Sequence, residues 1–179
     1  NAVKKYFGQT PKVFRNTELI YSDEIGSLIS EMGYKGMLTE GAKHIMAWKS
    51  PNYLYSNTID PRLKVLLKNY QLSDDIAFRF SNQGWEEWPL TTEKYIGWLK
   101  AIDKKDEIVN LFMDYETFGE HQWAETGIFA FMKALPEAIF NLTDMEFVTP
   151  SEAIDDLQSV GPLHIPDPIS WADEERDLT

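Results

Sequence analysis

The sequence contains no cysteine and no long hydrophobic run, and both absences narrow what it can encode. Without cysteine there are no disulfides and no thiolate metal sites, which suits the cytoplasmic location that we predict. No apolar run approaches the roughly 20 residues that a membrane helix needs, so we expect no membrane partner. Only three histidines are present and no pair has the spacing of metal ligands, so we expect neither a metal nor a cofactor.

Basic residues are also scarce, since 17 lysines and arginines stand against 29 aspartates and glutamates, for a net charge of −12. An acidic surface repels phosphate backbones, which argues against nucleic acid as a partner. Aromatic residues are plentiful at 13% of the chain, with six tryptophans and eight tyrosines. Such rings either fill a core or stack on sugars, and the composition leaves both interpretations open.

Short strand-like runs alternate with helix-like runs along the chain. The patterns predict five strands, over residues 13–17, 34–39, 63–69, 108–113 and 146–148. Helices are predicted over residues 22–32, 41–48, 73–80, 91–101, 123–135 and 149–157, and an extension of the fifth helix to residue 141 is left open. This order favours an α/β fold in which a parallel sheet is covered by helices.

Five predicted strands are too few for a closed β/α barrel, and such a barrel typically needs about 250 residues. At 179 residues the chain suffices for one domain with a core, either an open sheet or part of a larger barrel. We favour the second interpretation and expect open sheet edges to promote self-association. Residues 161–179 are rich in proline and then acidic, and they are predicted to form an extended tail over the surface.

Polar side chains lie at the carboxyl ends of the first two predicted strands. In parallel α/β sheets chemistry collects where strands end, so these residues are candidates for a site. Glu40 closes the second strand, with Thr39 placed to hold its carboxylate and Gly41 to let the chain turn away. Arg15 and Glu18 belong to the polar run after the first strand, where they either pair with each other or face a cleft.

The segment after the fourth predicted strand is the most informative part of the chain. Asp114 and Glu116 share a face if the backbone stays extended, and their repulsion would raise the pKa of one, as a general acid requires. Gly119 permits a tight turn, and His121 could donate to a sugar hydroxyl. Carboxylates at two strand ends are the minimum for a glycoside hydrolase, although a solvated loop carboxylate is the commoner explanation of each alone.

Two tryptophans, Trp85 and Trp88, lie in a polar loop between the third and fourth predicted strands. Exposed tryptophan clusters are rare on protein surfaces, so a sugar-binding platform is one interpretation of this loop. Packing of the loop onto a helix is the other, and the sequence favours neither.

Three segments of the chain resemble glycoside hydrolase family 57. They are Phe14-Arg15-Asn16-Thr17-Glu18-Leu19, Met37-Leu38-Thr39-Glu40 and Met113-Asp114-Tyr115-Glu116-Thr117-Phe118-Gly119-Glu120-His121. Residues 166–173 are similar to a segment of the family's α-amylase-like members. The resemblance covers nearly the whole chain in patches, and the motif around Asp114 is the most specific. It implies an incomplete seven-stranded β/α barrel that cleaves or transfers α-1,4-linked glucans with retention of configuration.

The resemblance also implies roles for individual residues. Glu40 corresponds to the family's nucleophile and Asp114 to its acid/base, and retention requires carboxyl groups roughly 5–5.5 Å apart. We expect the following side chains to bind the substrate: Arg15, Asn16, Glu18, Trp85, Trp88, Glu116, Phe118 and His121. The family's first His-Gln-Pro block and its last block are missing, so residues 1–179 look like a partial catalytic domain that is expected to lack part of the cleft wall.

Two alternatives stay open at this point. A metal-dependent polysaccharide deacetylase would need clustered histidine ligands, which the three histidines do not provide by spacing. A non-catalytic glucan-binding module would use the tryptophan loop and would tolerate substitution of Glu40 or Asp114.

Overall fold

The computed structural model describes residues 2–41, 43–47 and 49–173. The chain divides into two compact units. Unit 1 takes the described residues of Asn1–Asn69, Asp106–Asn110 and Val148–Thr179, and unit 2 those of Tyr70–Lys105 and Leu111–Phe147. Each unit is described by itself.

Unit 1 is built on a five-stranded sheet. The strands are β1 (Val13–Arg15), β2 (Gly36–Thr39), β3 (Tyr55–Asn57), β4 (Lys64–Leu67) and β5 (Pro162–Leu163). Their order across the sheet is β1-β2-β4-β3-β5. β2 pairs in parallel with both β1 and β4, β3 is antiparallel to β4, and β5 is parallel to β3. The predicted α/β class with parallel β/α units is therefore confirmed.

Strands β1, β2 and β4 lie where the sequence predicts them, and the runs of β2 and β4 are largely buried, as expected for parallel strands. Met37, Val65 and Leu67 are fully inaccessible to solvent and belong to one core cluster with Tyr21 and Leu163. These side chains fix the centre of the sheet.

The described residues contain seven α-helices. In chain order they are α1 (Ala2–Phe7), α2 (Asp23–Glu31), α3 (Lys43–Met46), α4 (Tyr70–Asp74), α5 (Thr92–Ala101), α6 (Ile128–Leu142) and α7 (Pro150–Asp156). The predicted helix over residues 41–48 is reduced to α3, and residues 42 and 48 lie outside the described part of the chain.

Local chemistry explains where α2 begins and ends. The Ser22 hydroxyl accepts the Ile25 N–H at 3.2 Å, which satisfies one of the free donors of the first turn. Gly33 follows the helix with a φ of 93°, a left-handed conformation that glycine adopts without strain. The predicted boundaries of this helix are therefore correct to within one residue.

Unit 2 is mainly helical, and aromatic rings form its core. Tyr95 of α5 meets Phe131 of α6 at a ring-centroid distance of 5.8 Å, and Phe80 meets Phe131 at 5.2 Å. The Tyr95 hydroxyl donates to the Leu72 carbonyl at 3.0 Å. The predicted helix over residues 73–80 is instead the end of α4 followed by a wider π-helical turn, Asp75–Arg79.

Two predicted strands are absent from their described segments. Residues 108–113 form no strand, because their polar groups bond elsewhere: the Asn110 side chain donates to the Leu67 carbonyl at 3.0 Å and the Phe112 N–H to the Ser73 hydroxyl at 3.2 Å. Residues 146–148 form none either, and the Phe147 ring packs edge-on against Phe140 of α6 at 5.3 Å.

The segment predicted as a tail is partly built into unit 1. Residues 162–163 form β5, and Leu163, Ile165 and Trp171 are buried. The expectation of a surface path is therefore wrong for these residues, because Leu163 and Ile165 belong to the core cluster and Trp171 packs by Arg15 and Lys68. Residues 174–179 lie outside the described part of the chain. Among the described helices, none has the length and apolar character to cross a membrane.

Helix α7 yields a test of local stability. Glu152 accepts the N–H and the hydroxyl of Thr149, both at 2.7 Å, and these bonds lower the pKa of its carboxyl. Because the pKa of Glu152 is lower in the folded state, the ionised carboxyl stabilises the fold above its unfolded-state pKa. This stabilisation is lost as the pH falls through the folded-state pKa. We expect Glu152→Gln to speed amide hydrogen exchange in the first turn of α7 at neutral pH, with the difference from wild type shrinking in acid.

The matched control is Glu137→Gln, which removes an exposed carboxylate from α6. It should leave exchange in α7 unchanged at every pH. A Glu152→Gln effect that is the same at neutral and acidic pH would contradict the capping explanation.

Candidate active site

Three parallel strands of unit 1 end side by side and carry charged residues at their carboxyl ends. The register pairs Arg15 of β1 with Leu38 of β2, and Thr39 of β2 with Leu67 of β4. Glu40 and Lys68, the next residues along β2 and β4, therefore leave the sheet as neighbours. The Lys68 N–H donates to the Thr39 carbonyl at 2.9 Å, which extends the ladder to this point.

Glu40 is a buried carboxylate with defined partners. Only 1% of the residue is exposed. Its Oε1 accepts the Gly41 N–H at 2.7 Å, and its Oε2 lies 3.4 Å from Nζ of Lys68, which is also buried. The Thr39 hydroxyl, predicted to hold this carboxylate, donates to the Leu19 carbonyl at 3.5 Å. The cation and a backbone amide thus orient the carboxylate.

An indole ring from the far end of the chain joins this cluster. The Trp171 ring centroid lies 5.5 Å from Nζ of Lys68 and 4.8 Å from Cζ of Arg15. Its Nε1–H donates to Oε2 of Glu18 at 2.5 Å. Unit 1 therefore brings together three predicted site residues, Arg15, Glu18 and Glu40, by way of two that were not predicted.

Asn16, predicted to reach a sugar, is engaged in a local turn. Its Oδ1 accepts the Thr17 N–H at 3.0 Å and its Nδ2 donates to the Ile20 carbonyl at 3.1 Å. These bonds shape the turn that carries Glu18.

Asp114 lies in unit 2 at the start of a 3₁₀ turn over Tyr115–Thr117. Its carbonyl accepts the Thr117 N–H at 3.2 Å, and its side chain is exposed. Because the backbone turns here, the premise that Asp114 and Glu116 share one face of an extended strand is wrong. Glu116 is exposed, and its carbonyl accepts the His121 N–H at 3.0 Å.

The rest of the motif forms a compact turn. Gly119 has a φ of 113°, which requires glycine, and its N–H donates to the Gln122 carbonyl at 2.9 Å. Phe118 is half-buried, and the exposed His121 ring stacks on Phe78 with centroids 6.5 Å apart. The expected tight turn is therefore present.

The tryptophan loop is also in unit 2. Trp85 contacts Trp98 of α5 edge-on at 5.9 Å, which supports the interpretation that this ring packs onto a helix. Trp88 is 42% exposed.

The histidines do not form a metal site within the described residues, where no group of three or more candidate ligands lies together. His164 is paired with Asp23, its Nδ1 lying 2.7 Å from Oδ2 of that carboxylate. His44 is exposed on α3. The donor sets that a deacetylase would need are thus absent from the described part of the chain.

Lys68 and Trp171 are the residues that sequence reasoning missed. Lys68 directly follows the apolar run Val65–Leu67, and a lysine at the end of a buried strand was the available signal. Trp171 lies in the segment 166–173 that carries part of the family resemblance, but its pairing with Glu18, 153 positions away, gave no signal of its own.

Buried charges at the carboxyl edge of parallel strands are typical of β/α enzymes. The comparison with protein families is more specific. The model of Glycosyl hydrolase family 57 matches residues 1–166, and the chain belongs to this family.

Known relatives are longer than this chain. A protein of Methanocaldococcus jannaschii named "Putative alpha-amylase" is 48% identical over 178 residues, which cover 98% of this chain and 37% of that protein. The crystal structure of 4-alpha-glucanotransferase from Thermococcus litoralis matches with a TM-score of 0.68 and 19% identity, over 92% of this chain and 26% of that one. A family 57 branching enzyme from Thermococcus kodakaraensis matches with a TM-score of 0.67 and 13% identity, over 94% and 44%.

The chain thus spans less than half the length of each of these proteins. At such low identity the two solved structures establish the fold, and the predicted partial β/α barrel fits them.

Gly41 gives a test of the packing beside Glu40. A Cβ at this position would lie 2.3 Å from the Lys68 carbonyl oxygen and 3.0 Å from Cβ of Pro51. Because moving a backbone atom to relieve this clash would strain the chain, we expect Gly41→Ala to lower the free energy of unfolding by about 1–3 kcal/mol. Chemical denaturation of the purified protein measures this.

Gly97→Ala is the matched control, since a Cβ there meets nothing within 4 Å. It lies inside α5, where alanine is favoured over glycine by roughly 0.5–1 kcal/mol, so this variant should be more stable than wild type. Equal effects of the two substitutions would show that Gly41 is not sterically required.

Proposed function

We propose that the protein is a retaining glycoside hydrolase or transglycosylase acting on α-1,4-linked glucans, with Glu40 as nucleophile and Asp114 as acid/base. The observation that carries the proposal is the buried Glu40 carboxylate, oriented by Gly41 and Lys68 at the carboxyl edge of the sheet. Membership of Glycosyl hydrolase family 57 supports the reaction class. The names of the relatives, an alpha-amylase, a 4-alpha-glucanotransferase and a branching enzyme, support an α-glucan as substrate.

The two carboxyl groups suit different roles. A nucleophile must be ionised, and the cation beside Glu40 favours that state. An acid/base must exchange protons with incoming and leaving groups, and the exposed Asp114 is open to such exchange.

The reaction proceeds in two displacements. In the first, a carboxylate oxygen of Glu40 bonds to the anomeric carbon while the bond from that carbon to the glycosidic oxygen breaks, and Asp114 gives its proton to the leaving oxygen. In the second, Asp114 takes a proton from a water or a sugar hydroxyl whose oxygen attacks the same carbon and displaces Glu40. The mechanism requires carboxyl groups roughly 5–5.5 Å apart.

The burial of Glu40 has a consequence for substrate binding. At 1% exposure the residue is closed to a glucan, so binding must displace the side chains that cover it. While the site is closed, the exclusion of water strengthens the attraction between Glu40 and its neighbouring cation.

The test is the turnover of maltooligosaccharides by the complete protein that contains this sequence. Glu40→Gln should lower kcat by roughly a thousandfold or more, because no covalent intermediate can form. Asp114→Asn should lower kcat by about 10²–10⁴-fold on maltooligosaccharides and far less on aryl glycosides, whose leaving groups need no protonation.

Glu125→Gln, an exposed carboxylate beyond the motif, is the control and should retain wild-type turnover. If Glu40→Gln binds glucans and turns them over like wild type, Glu40 is not the nucleophile. Binding without turnover in the wild-type protein would instead support a glucan-binding module.

A further inference from the structure

Lys68 is a buried cation in the described part of unit 1. Its side chain is 2% exposed, a position where lysine is found only when its charge is paired. The register of β2 with β4 places it beside Glu40, and its Nζ lies 3.4 Å from Oε2 of that residue. Its backbone N–H is held by the Thr39 carbonyl at 2.9 Å, so the stem of the side chain starts from a fixed point.

Trp171 borders the charged end of Lys68. Its ring centroid lies 5.5 Å from Nζ of Lys68, within the distance at which an ammonium is attracted to an indole face. The Arg15 guanidinium carbon lies 4.8 Å from the same ring. The indole thus contacts both cations of this edge, and its placement limits where Lys68 can point.

Glu18 holds Trp171 in that place through two hydrogen bonds to Trp171 itself and one to its neighbour Ser170. The Glu18 carbonyl accepts the Trp171 N–H and the Ser170 hydroxyl, both at 3.0 Å, and its carboxylate accepts the Trp171 indole N–H. The backbone of Glu18 and Leu19 is left-handed, with φ of 49° and 52°, a conformation that is unfavourable for residues other than glycine. Strained residues of this kind persist where surrounding contacts fix them, and they cluster at functional sites.

We propose that Lys68 is a positioning residue for the reaction proposed above, one that holds Glu40 oriented and ionised, and that the bond between Glu18 and Trp171 keeps Lys68 at that position. This inference rests on the proposed role of Glu40 as nucleophile. It adds a function for a lysine, a tryptophan and a glutamate that need not touch the reacting bond.

The charges on the elements around Glu40 are few enough to separate. Those of the cluster and its turn are Lys68 after β4, Arg15 at the end of β1 and Glu18, and those next along the chain from Glu40 and Trp171 are Lys43, His44 and Asp173. Of these residues, Lys68 is the one for which an ion pair with Glu40 is described. Removing this cation should therefore make Glu40 harder to ionise, whereas the remaining charges stay the same.

The experiment compares Lys68→Met with Lys68→Arg in the complete protein. In Lys68→Met the acidic limb of the kcat/KM profile should move up by about one unit or more, because an ionised Glu40 is then reached at higher pH. Lys68→Arg keeps the charge and should return the limb towards that of wild type. Lys64→Met makes the same change at the start of β4 and should leave the limb unmoved.

A second readout does not depend on activity. The ¹³C signal of the Glu40 carboxyl, assigned through its loss in Glu40→Gln, should titrate at lower pH in wild type than in Lys68→Met. If the two titrations coincide in folded proteins, Lys68 does not act on Glu40 and the inference is overturned. If they differ while the wild-type protein fails to act on glucans, the proposed function is wrong and the electrostatic coupling stands.

Trp171→Phe covers the case in which Lys68→Met does not fold. Phenylalanine keeps a ring but cannot donate to Glu18, so both the acidic limb and the Glu40 titration should move in the same direction by a smaller amount. Wild-type values for both in a folded Trp171→Phe protein would overturn the part of the inference that concerns Glu18 and Trp171.

Discussion

The parallel register of β2 with β4 is the constraint on which the candidate site depends. Because Thr39 pairs with Leu67, the residues that follow them leave the sheet together, and a carboxylate and an ammonium meet in a buried place. Neither charge would be stable there alone, since breaking a buried ion pair costs roughly 3–5 kcal/mol. The sheet therefore places the two charges, and the two charges in turn make it costly to shift the strands.

The same pairing connects the fold to the chemistry. A glycosidic nucleophile has to be ionised, yet it works best in a site from which water is excluded. If Glu40 is the nucleophile, as proposed, Lys68 reconciles these requirements, and the Gly41 N–H supplies a backbone donor at 2.7 Å. The contacts of Trp171 extend this arrangement to the segment after β5, so a part of the chain expected on the surface belongs to the surroundings of the site.

How much the sequence could predict depended on how local each signal was. The strands around Met37 and Val65, the helix caps and the Gly119 turn follow from neighbouring residues, and the motifs around Glu40 and Asp114 indicated the family. The path of residues 108–113 was mispredicted, because in place of a regular backbone ladder the Asn110 side chain bonds to the Leu67 carbonyl and the Phe112 N–H bonds to the Ser73 side chain. Long-range contacts of this kind leave no trace in hydrophobic periodicity. The link between Glu18 and Trp171 could not be found for the same reason.

The most direct test of the account is to trap the glycosyl-enzyme and locate it. The complete protein would be incubated with a fluorinated α-glucosyl fluoride, whose intermediate hydrolyses slowly, and then digested for mass spectrometry. The account predicts a single hexosyl adduct on the peptide that contains Glu40, and no adduct in Glu40→Gln. An adduct on Asp114 or another carboxylate, or a product of inverted anomeric configuration, would contradict it.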